Sequence, residues 1–321
     1  MFEQNVTGGF RRINRAYNAV FKPDRLSIGL VVPLESYPQS AVPAMARHLE
    51  LARMADELGF AALWLRDVPF NVPSFGDAGQ VYDPFVYLGT LAATTRNIAL
   101  GVASIVLPLR HPAHVAKAAA SADALSGGRL LLGVASGDRP EEYPALNMTF
   151  PDRGDRFRDS VDYIRAMAGE RPEFQNARGR VGNGMDMLPK PVGGQIPLLI
   201  TGGSRQTPDW VARNGDGWMT YPRDAAAQGR VVSEYRQRVA AAGQGDKPVM
   251  QSLYVDLVAD AAAAPRPIHL GFQSGTDFLR GYLNDIVTLG VNHVALNLRF
   301  NGADMETTLN RLARDVLPDH H

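Results

Sequence analysis

The sequence predicts an α/β protein: a (β/α)8 TIM barrel with an irregular insertion before the fifth strand. Three observations carry this. Strand-like and helix-like segments alternate nearly throughout, the pattern of a parallel sheet with right-handed crossovers. They number eight of each, the count of a closed barrel. No linker divides the 321 residues, and although ~150 residues per domain would allow two domains, a single barrel often runs this long. An open doubly wound sheet is the runner-up.

The elements follow in order. Residues 26–33 form a short β-rich run. Residues 43–58 carry helical apolar spacing through Met45, Leu49, Ala52 and Leu58, and Gly59 suits a C-terminal stop. Residues 61–66 are the second strand. Asp83 and Pro84 read as N-cap and first-turn proline of a helix reaching Thr94. Strand 98–106, helix 114–125, strand 130–134 and helix 154–167 come next. Residues 170–196 hold Gly179, Gly182, Gly184, Pro189, Pro191, Gly193 and Gly194, and read as an inserted excursion with a small hairpin. Strands at 197–201, 217–221, 249–258 and 291–298 then alternate with helices at 207–214, 225–242, 276–289 and 303–316. A single domain thus spans 26–317. Residues 1–25 form an N-terminal extension in which 10–21 predict an amphipathic helix packed on the body of the protein.

Composition removes several function classes. Lys+Arg and Asp+Glu are both 33, so no net charge favours a nucleic acid or other polyanion. Cysteine is absent, which excludes disulfides, zinc–thiolate sites, iron–sulfur clusters and a thiol nucleophile. A cytoplasmic location fits. No stretch approaches the ~18 apolar residues of a membrane span, and the N-terminal segment lacks the apolar core of a signal peptide. There is no Walker A motif, no G-x-G-x-x-G after a strand and no H-E-x-x-H. His111 and His114 are three apart without evident partner ligands, so no metal site is expected. Glu141-Glu142 reads as ordinary loop charge.

In a barrel the chemistry sits on loops after the strand C-termini. These are 67–82, 104–111, 135–153, 202–207, 221–223, 259–275 and 297–302. The strongest local feature is Leu198-Leu-Ile-Thr-Gly-Gly-Ser-Arg-Gln-Thr-Pro-Asp-Trp210. A buried strand runs into glycines, then hydroxyl residues, then a helix. Backbone N–H groups there, with the Ser204 and Thr207 hydroxyls, suit a phosphate monoester, and Gly202 and Gly203 allow close approach. A plain βα turn with an N-cap fits the same residues. Two other strand ends, Gly101-Val-Ala-Ser-Ile-Val-Leu-Pro-Leu-Arg-His-Pro112 and Gly128-Arg-Leu-Leu-Leu-Gly-Val-Ala-Ser-Gly-Asp138, run into small residues that leave room for a flat ligand. In Gly215-Asp-Gly-Trp218, the tryptophan suits either an aromatic ligand or the core.

Taken together, residues 101–112, Leu125-Ser-Gly-Gly-Arg-Leu-Leu-Leu-Gly-Val134, Thr201-Gly-Gly-Ser-Arg-Gln206 and Asp216-Gly-Trp218 resemble the bacterial luciferase-like flavin monooxygenase family over roughly 26–317. The resemblance implies a barrel, usually dimeric, that binds FMN or a deazaflavin at the strand C-termini. It implies that Gly203, Ser204 and Thr207 hold the FMN phosphate and that Ser136 and Gly137 border the phosphate or ribityl chain. It places Ala103-Ser104 where relatives carry a non-prolyl cis peptide behind the isoalloxazine, and Trp218 and Asp67 at strand ends facing the ring. The sequence departs from the family at two positions. Val68 stands where luciferase-type members carry a catalytic histidine, and Ala135 replaces their reactive cysteine.

The expectation is therefore a flavin-dependent monooxygenase. Reduced FMN, delivered by a separate reductase, would react with O2 to oxygenate a small organic substrate. Asp67, Asp138 and Arg139 are the first candidates for the reacting face, with Tyr221, Arg223, Asn297 and Arg299 behind them. A deazaflavin-dependent hydride-transfer enzyme and a flavin-binding protein without turnover are the alternatives.

Overall fold

The computed structural model describes residues 9–320; residues 1–8 of the expected extension and His321 lie outside it. In chain order the elements are α1 (Arg15–Val20), β1 (Ser27–Val31), α2 (His48–Glu57), β2 (Ala62–Leu65), α3 (Pro84–Thr94), β3 (Ala99–Val106), α4 (Pro112–Leu125), β4 (Leu130–Ala135), α5 (Glu142–Ala145), α6 (Arg153–Ala166), β5 (Phe174–Asn176) and β6 (Gly179–Val181). There follow β7 (Leu198–Thr201), α7 (Pro208–Asn214), β8 (Gly217–Thr220), α8 (Ala225–Ala241), β9 (Val249–Leu257), β10 (Arg266–Ile268), β11 (Gly271–Ser274), α9 (Thr276–Thr288), β12 (His293–Asn297) and α10 (Met305–Asp315).

Eight strands pair in parallel in the order β1-β2-β3-β4-β7-β8-β9-β12, and β12 returns to β1 with Ser27 beside His293. This closure makes the fold a (β/α)8 barrel and excludes the open sheet. The insertion contains the expected hairpin, β5 antiparallel to β6. A second hairpin, β10–β11, occupies the segment read as loop at 259–275, and β11 runs parallel to the outer end of β9. Among the described residues no helix is long and apolar enough to cross a membrane.

Helix starts follow side-chain chemistry. Asp83, Thr207, Asp224 and Asp304 each accept backbone N–H bonds from the first turn of the helix they precede, which satisfies donors the helix leaves unpaired. The helix expected from Pro43 begins only at His48. Glu35 accepts the N–H groups of Ala44 and Met45 at 2.8 Å, and Met45 is left-handed with φ 57°, so the chain cannot yet wind. The N-terminal helix likewise shortens to six residues, capped by Asn14 accepting from Tyr17 N–H.

Two apolar layers result. The outer one joins strands to helices. The inner one fills the barrel with Val31, Ala62, Trp64, Ala99, Leu131, Leu199, Met219, Met250 and Ala295, and closes on Ile13, Ala16, Tyr17, Val20 and Phe21 from the N-terminal segment. That segment is the barrel floor. Ala16 N–H donates to Gly128 O at 2.9 Å, Asn14 Nδ2 to Leu130 O at 2.8 Å, and the Tyr17 hydroxyl to Asp216 O at 2.6 Å. Large groups fit inside because glycines face them. A Cβ on Gly101 would stand 2.5 Å from Trp64 Cζ3, and one on Gly29 would stand 2.8 Å from His293 Nε2.

His293 is fully buried in this interior. Trp64 Nε1 donates to its Nε2 at 2.8 Å, so Nδ1 carries the proton and donates to Ser27 Oγ at 2.7 Å, while Ser27 donates to Val20 O. The Trp64, His293 and Ser27 side chains are all satisfied with the ring neutral. Burial lowers the pKa of His293 to about 3.

Candidate functional site

Among the described residues, with the floor sealed, the barrel opens at the strand C-termini. Side-chain alternation carries the inward row of each strand to that end. Ala103, Ala135, Thr201, Ser252 and Tyr254 are partly exposed there although their strands are otherwise buried, so a solvent-accessible pocket reaches into the upper barrel. The Ala103–Ser104 peptide bond is cis, and the β3–β4 register shifts between Val102 and Ile105.

On one side of this mouth the loop after β7 forms a nest. Gly202, Ser204 and Arg205 have φ of 54°, 43° and 61°, a left-handed course that turns successive N–H groups to one side. Gly202 N–H pairs with Met219 O and Gln206 N–H with Gly203 O. Among the described residues, the N–H groups of Gly203, Ser204 and Arg205 have no partner. The hydroxyls are not equivalent. Ser204 donates to Thr201 O at 2.7 Å, so its proton is committed. Thr207 accepts from Trp210 N–H, leaving its own proton free for a ligand.

Two cations meet at this nest. Arg153, at the start of α6, donates to Gly137 O and Phe150 O and lies 3.5 Å over the Phe150 ring. Burial and the neighbouring Arg205 charge both lower its pKa, a repulsion that an anion between them would relieve. Gln206 ties the loop to α6 through Gly154 O at 2.8 Å. Sequence reasoning missed Arg153, because nothing local brings the first turn of α6 to the end of β7.

Ser136 and Gly137 stand between the mouth and Arg153. The Tyr143 hydroxyl donates to Ser136 O. Gly137 has φ 75°, and a Cβ there would lie 2.7 Å from Val106 Cγ1. The position therefore needs glycine for both conformation and space.

Trp218 is turned away from the mouth, which corrects the expectation that it faces a ring there. Met219 takes the inward position on β8, so Trp218 points to the helix layer. It stacks on Tyr235 with centroids 5.2 Å apart, and its Nε1 donates to Gly202 O at 3.0 Å. It braces the nest from behind.

Asp67 likewise has a different part from the one expected. Its side chain is 1% exposed. It accepts Arg110 Nε at 3.0 Å, Arg110 Nη2 at 2.7 Å and Val106 N–H at 3.1 Å. Arg110 also binds Asp83 at 2.9 Å. Both Asp67 oxygens accept bonds in a clamp joining the loops after β2 and β3.

Asp138 is exposed and accepts no hydrogen bond among the described residues. Arg139 does not pair with it. Its guanidinium lies 4.6 Å over Phe75, Nη2 donates to Asp77 O at 3.3 Å, and Nη1 stands 3.9 Å from Glu142 Oε1. Glu142 is the residue the sequence understated. It is buried rather than an ordinary loop charge. Burial, opposed by Arg139 and reinforced by Asp67 and Asp138, pushes its pKa up to about 7.

The other candidates hold the rim. Arg299 binds Asp77 at 3.0 Å and donates to Ser40 O and Gly76 O, while Arg66 binds Asp77 at 2.9 Å. These two guanidiniums overcome the effect of burial and hold the Asp77 pKa low. Asn297 accepts from Arg299 N–H. Arg223 donates to Thr220 Oγ1 and Tyr221 O. Phe70, Phe75 and Tyr221 are exposed around the opening, so the rim presents apolar groups while Asp67, Asp77, Arg66, Arg110 and Arg299 are paired with one another. Val68, the position without the histidine, is half-buried beside Asp67.

Comparison with known proteins adds three findings. The family model described as luciferase-like monooxygenase matches residues 26–314. An uncharacterized protein of Mycobacterium tuberculosis is 30% identical over 228 residues, 66% of this chain and 80% of that protein. Two solved structures share the fold at TM-score 0.76. One is the monooxygenase RslO1 from Streptomyces bottropensis, at 22% identity, covering 91% of this chain and 99% of that one. The other is an F420-dependent secondary alcohol dehydrogenase in complex with an F420-acetone adduct, at 17% identity, covering 92% and 100%.

Proposed function

Because the chain belongs to the luciferase-like monooxygenase family, and so to a family of oxidoreductases, we propose that it is a flavin-dependent monooxygenase that uses reduced FMN and O2 to oxidise a small organic substrate. The observation that carries this reading is the nest after β7. Three N–H groups unpaired among the described residues, the Thr207 hydroxyl and the charges of Arg153 and Arg205 converge there, a donor set suited to a terminal phosphate. The fit extends to the ring. Ala103 and Ala135 are small, partly exposed residues on adjacent strands, and leave width for a flat group.

In this reading the bound flavin supplies the redox chemistry. The chain's residues bind and enclose it. Gly203, Ser204, Arg205 and Thr207 hold the phosphate, with Gly202 fixed behind them by Trp218. Arg66 and Arg299 pin the β2–α3 loop over the mouth through Asp77 and limit the entry of water. The apolar rim of Phe70, Phe75 and Tyr221 suits an organic substrate. The reductant comes from a separate flavin reductase. The chain acts as a homodimer, a reading supported by the charge-free sequence of α3, on which Val86 is 70% exposed.

Deazaflavin-dependent hydride transfer is the second reading, favoured by the likeness of fold to an F420-dependent dehydrogenase. Fluorescence titration with FMN, riboflavin and F420, followed by oxygen uptake with reduced FMN, separates them. FMN at least tenfold tighter than riboflavin, with oxygen consumed, is the expected result. Tighter F420 binding without oxygen uptake selects hydride transfer. FMN binding without turnover marks a flavin-binding protein, and equal affinity for FMN and riboflavin removes the phosphate assignment.

A further inference from the structure

Glu142 joins two loops of the mouth. Its side chain is 3% exposed. On one side its carboxylate faces the backbone N–H of Phe70, from the loop after β2. On the other, Oε1 faces Arg139 Nη1 across 3.9 Å, too far for a hydrogen bond. Both atoms are buried and, among the described residues, have no hydrogen-bond partner. Arg139 is also held to the loop after β2, through Phe75 and Asp77 O. The carboxylate and guanidinium therefore lie between the loops after β2 and β4, which flank the end of β3. The other charged or titratable groups bearing on Glu142 are Asp67, already paired with Arg110, the exposed Asp138, and Tyr143 beside it.

From this geometry we propose that Glu142 is a positioning residue: when ionised it draws Arg139 across the gap and fastens the loops after β2 and β4 together over the reaction pocket, and when protonated it releases them. That the pocket is the reaction site rests on the function proposed above; the latch itself does not.

The physical reason lies in the two orphaned atoms. An ionised carboxylate gains a charge-assisted bond by closing on the guanidinium, and it attracts the Phe70 N–H more strongly than a neutral acid does. Protonation removes both gains. With burial placing the transition near neutrality, the latch is mostly closed at pH 8 and mostly open at pH 6. A mouth lacking the strand-2 histidine thus has a buried carboxyl that titrates in the same range.

Hydrogen exchange tests this without any cofactor. Protection factors, which remove the intrinsic pH dependence of exchange, are measured for the amides of residues 68–76 from pH 5.5 to 8.5. The wild type is expected to lose about tenfold in protection between pH 8 and pH 6, in one step centred near 7. Glu142→Gln removes the step and leaves low protection throughout. Glu142→Asp keeps a step. Arg139→Met shrinks the step and moves what remains to higher pH, because the bond that closes the latch and the charge favouring the ionised form are both gone. A flat wild-type profile, a step that survives Glu142→Gln, or a step unmoved in Arg139→Met overturns the proposal. If Glu142→Gln does not fold, the wild-type and Arg139→Met profiles decide it. In the FMN-loaded enzyme, the acid limb of kcat/KM is expected to follow the same step. Failure of the flavin reading would abolish that limb and leave the exchange result intact.

Discussion

Replacing Asp67 by asparagine separates a clamp from a catalytic group. The wild-type carboxylate receives two bonds from Arg110 and one from Val106 N–H, with its own side chain 1% and that of Arg110 25% exposed. Asparagine keeps one oxygen for part of this set but loses the charge on all of it. Removing one partner of a buried ion pair costs ~3–5 kcal/mol. Arg110 is spared the full penalty, because a quarter of its surface meets water and Asp83 still binds it. The expected loss is therefore about 2–3 kcal/mol. Urea unfolding measures it as a lower midpoint at unchanged slope. A double-mutant cycle with Arg110→Met should recover a coupling of ~1–3 kcal/mol. Turnover by the folded fraction should survive. An unchanged midpoint with turnover abolished would refute the clamp and return Asp67 to the chemistry.

Three further outcomes are expected. Gly101→Ala drives a methyl group into the Trp64 ring and should cost ~1–3 kcal/mol or more in thermal denaturation; an unshifted Tm would show that the ring can move aside. His293 has a folded pKa depressed from its ordinary 6.5 to about 3, so its contribution to stability is present above 6.5 and is lost as pH falls toward 3. By pH 5 the loss should reach about 2 kcal/mol, and a His293→Asn variant should show a flatter acid limb in urea titrations. Trp218→Phe removes the bond to Gly202 O but keeps an aromatic ring beside Tyr235, which should weaken FMN binding by roughly fivefold, or ~1 kcal/mol. A large change in the bound flavin's absorption spectrum would instead place Trp218 against the ring.

Much of the barrel was legible because its signals are local. Each barrel strand lies within a residue or two of the segment read from its apolar run, and Asp83-Pro84 caps α3 as the residues suggest. The misreadings occurred where distant groups outweigh local pattern. Met45 and Leu49 show helical spacing, but Glu35 holds the Ala44 and Met45 amides and delays the helix. Residues 266–274 lack a strong strand signature, and their pairing is decided by the projecting end of β9.

The site divides in the same way. Glycines and hydroxyls after β7 mark the nest in the chain, since they are contiguous and their backbone freedom is a property of residue type. Which hydroxyl keeps its proton free is not written there, because Thr201 O claims Ser204 only once the loop is folded. Asp67 looks like an available acid until Arg110, 43 positions on, takes both its oxygens. Trp218 is near the site in sequence, yet the inward place of Met219 turns it outward.

By itself, then, the sequence determined the alternation that closes a barrel, the small residues that open its upper end and the glycine- and hydroxyl-rich loop after β7. These depend on periodicity and residue type over a few positions. The tertiary structure alone decided which charges are spent and which remain. It paired Asp67, placed Arg153 beside Arg205, and buried Glu142 opposite Arg139 without closing the last ångström between them. Charge and proton affinity depend on neighbours and on exclusion of water, and both are set only when loops from different strands meet at the same mouth.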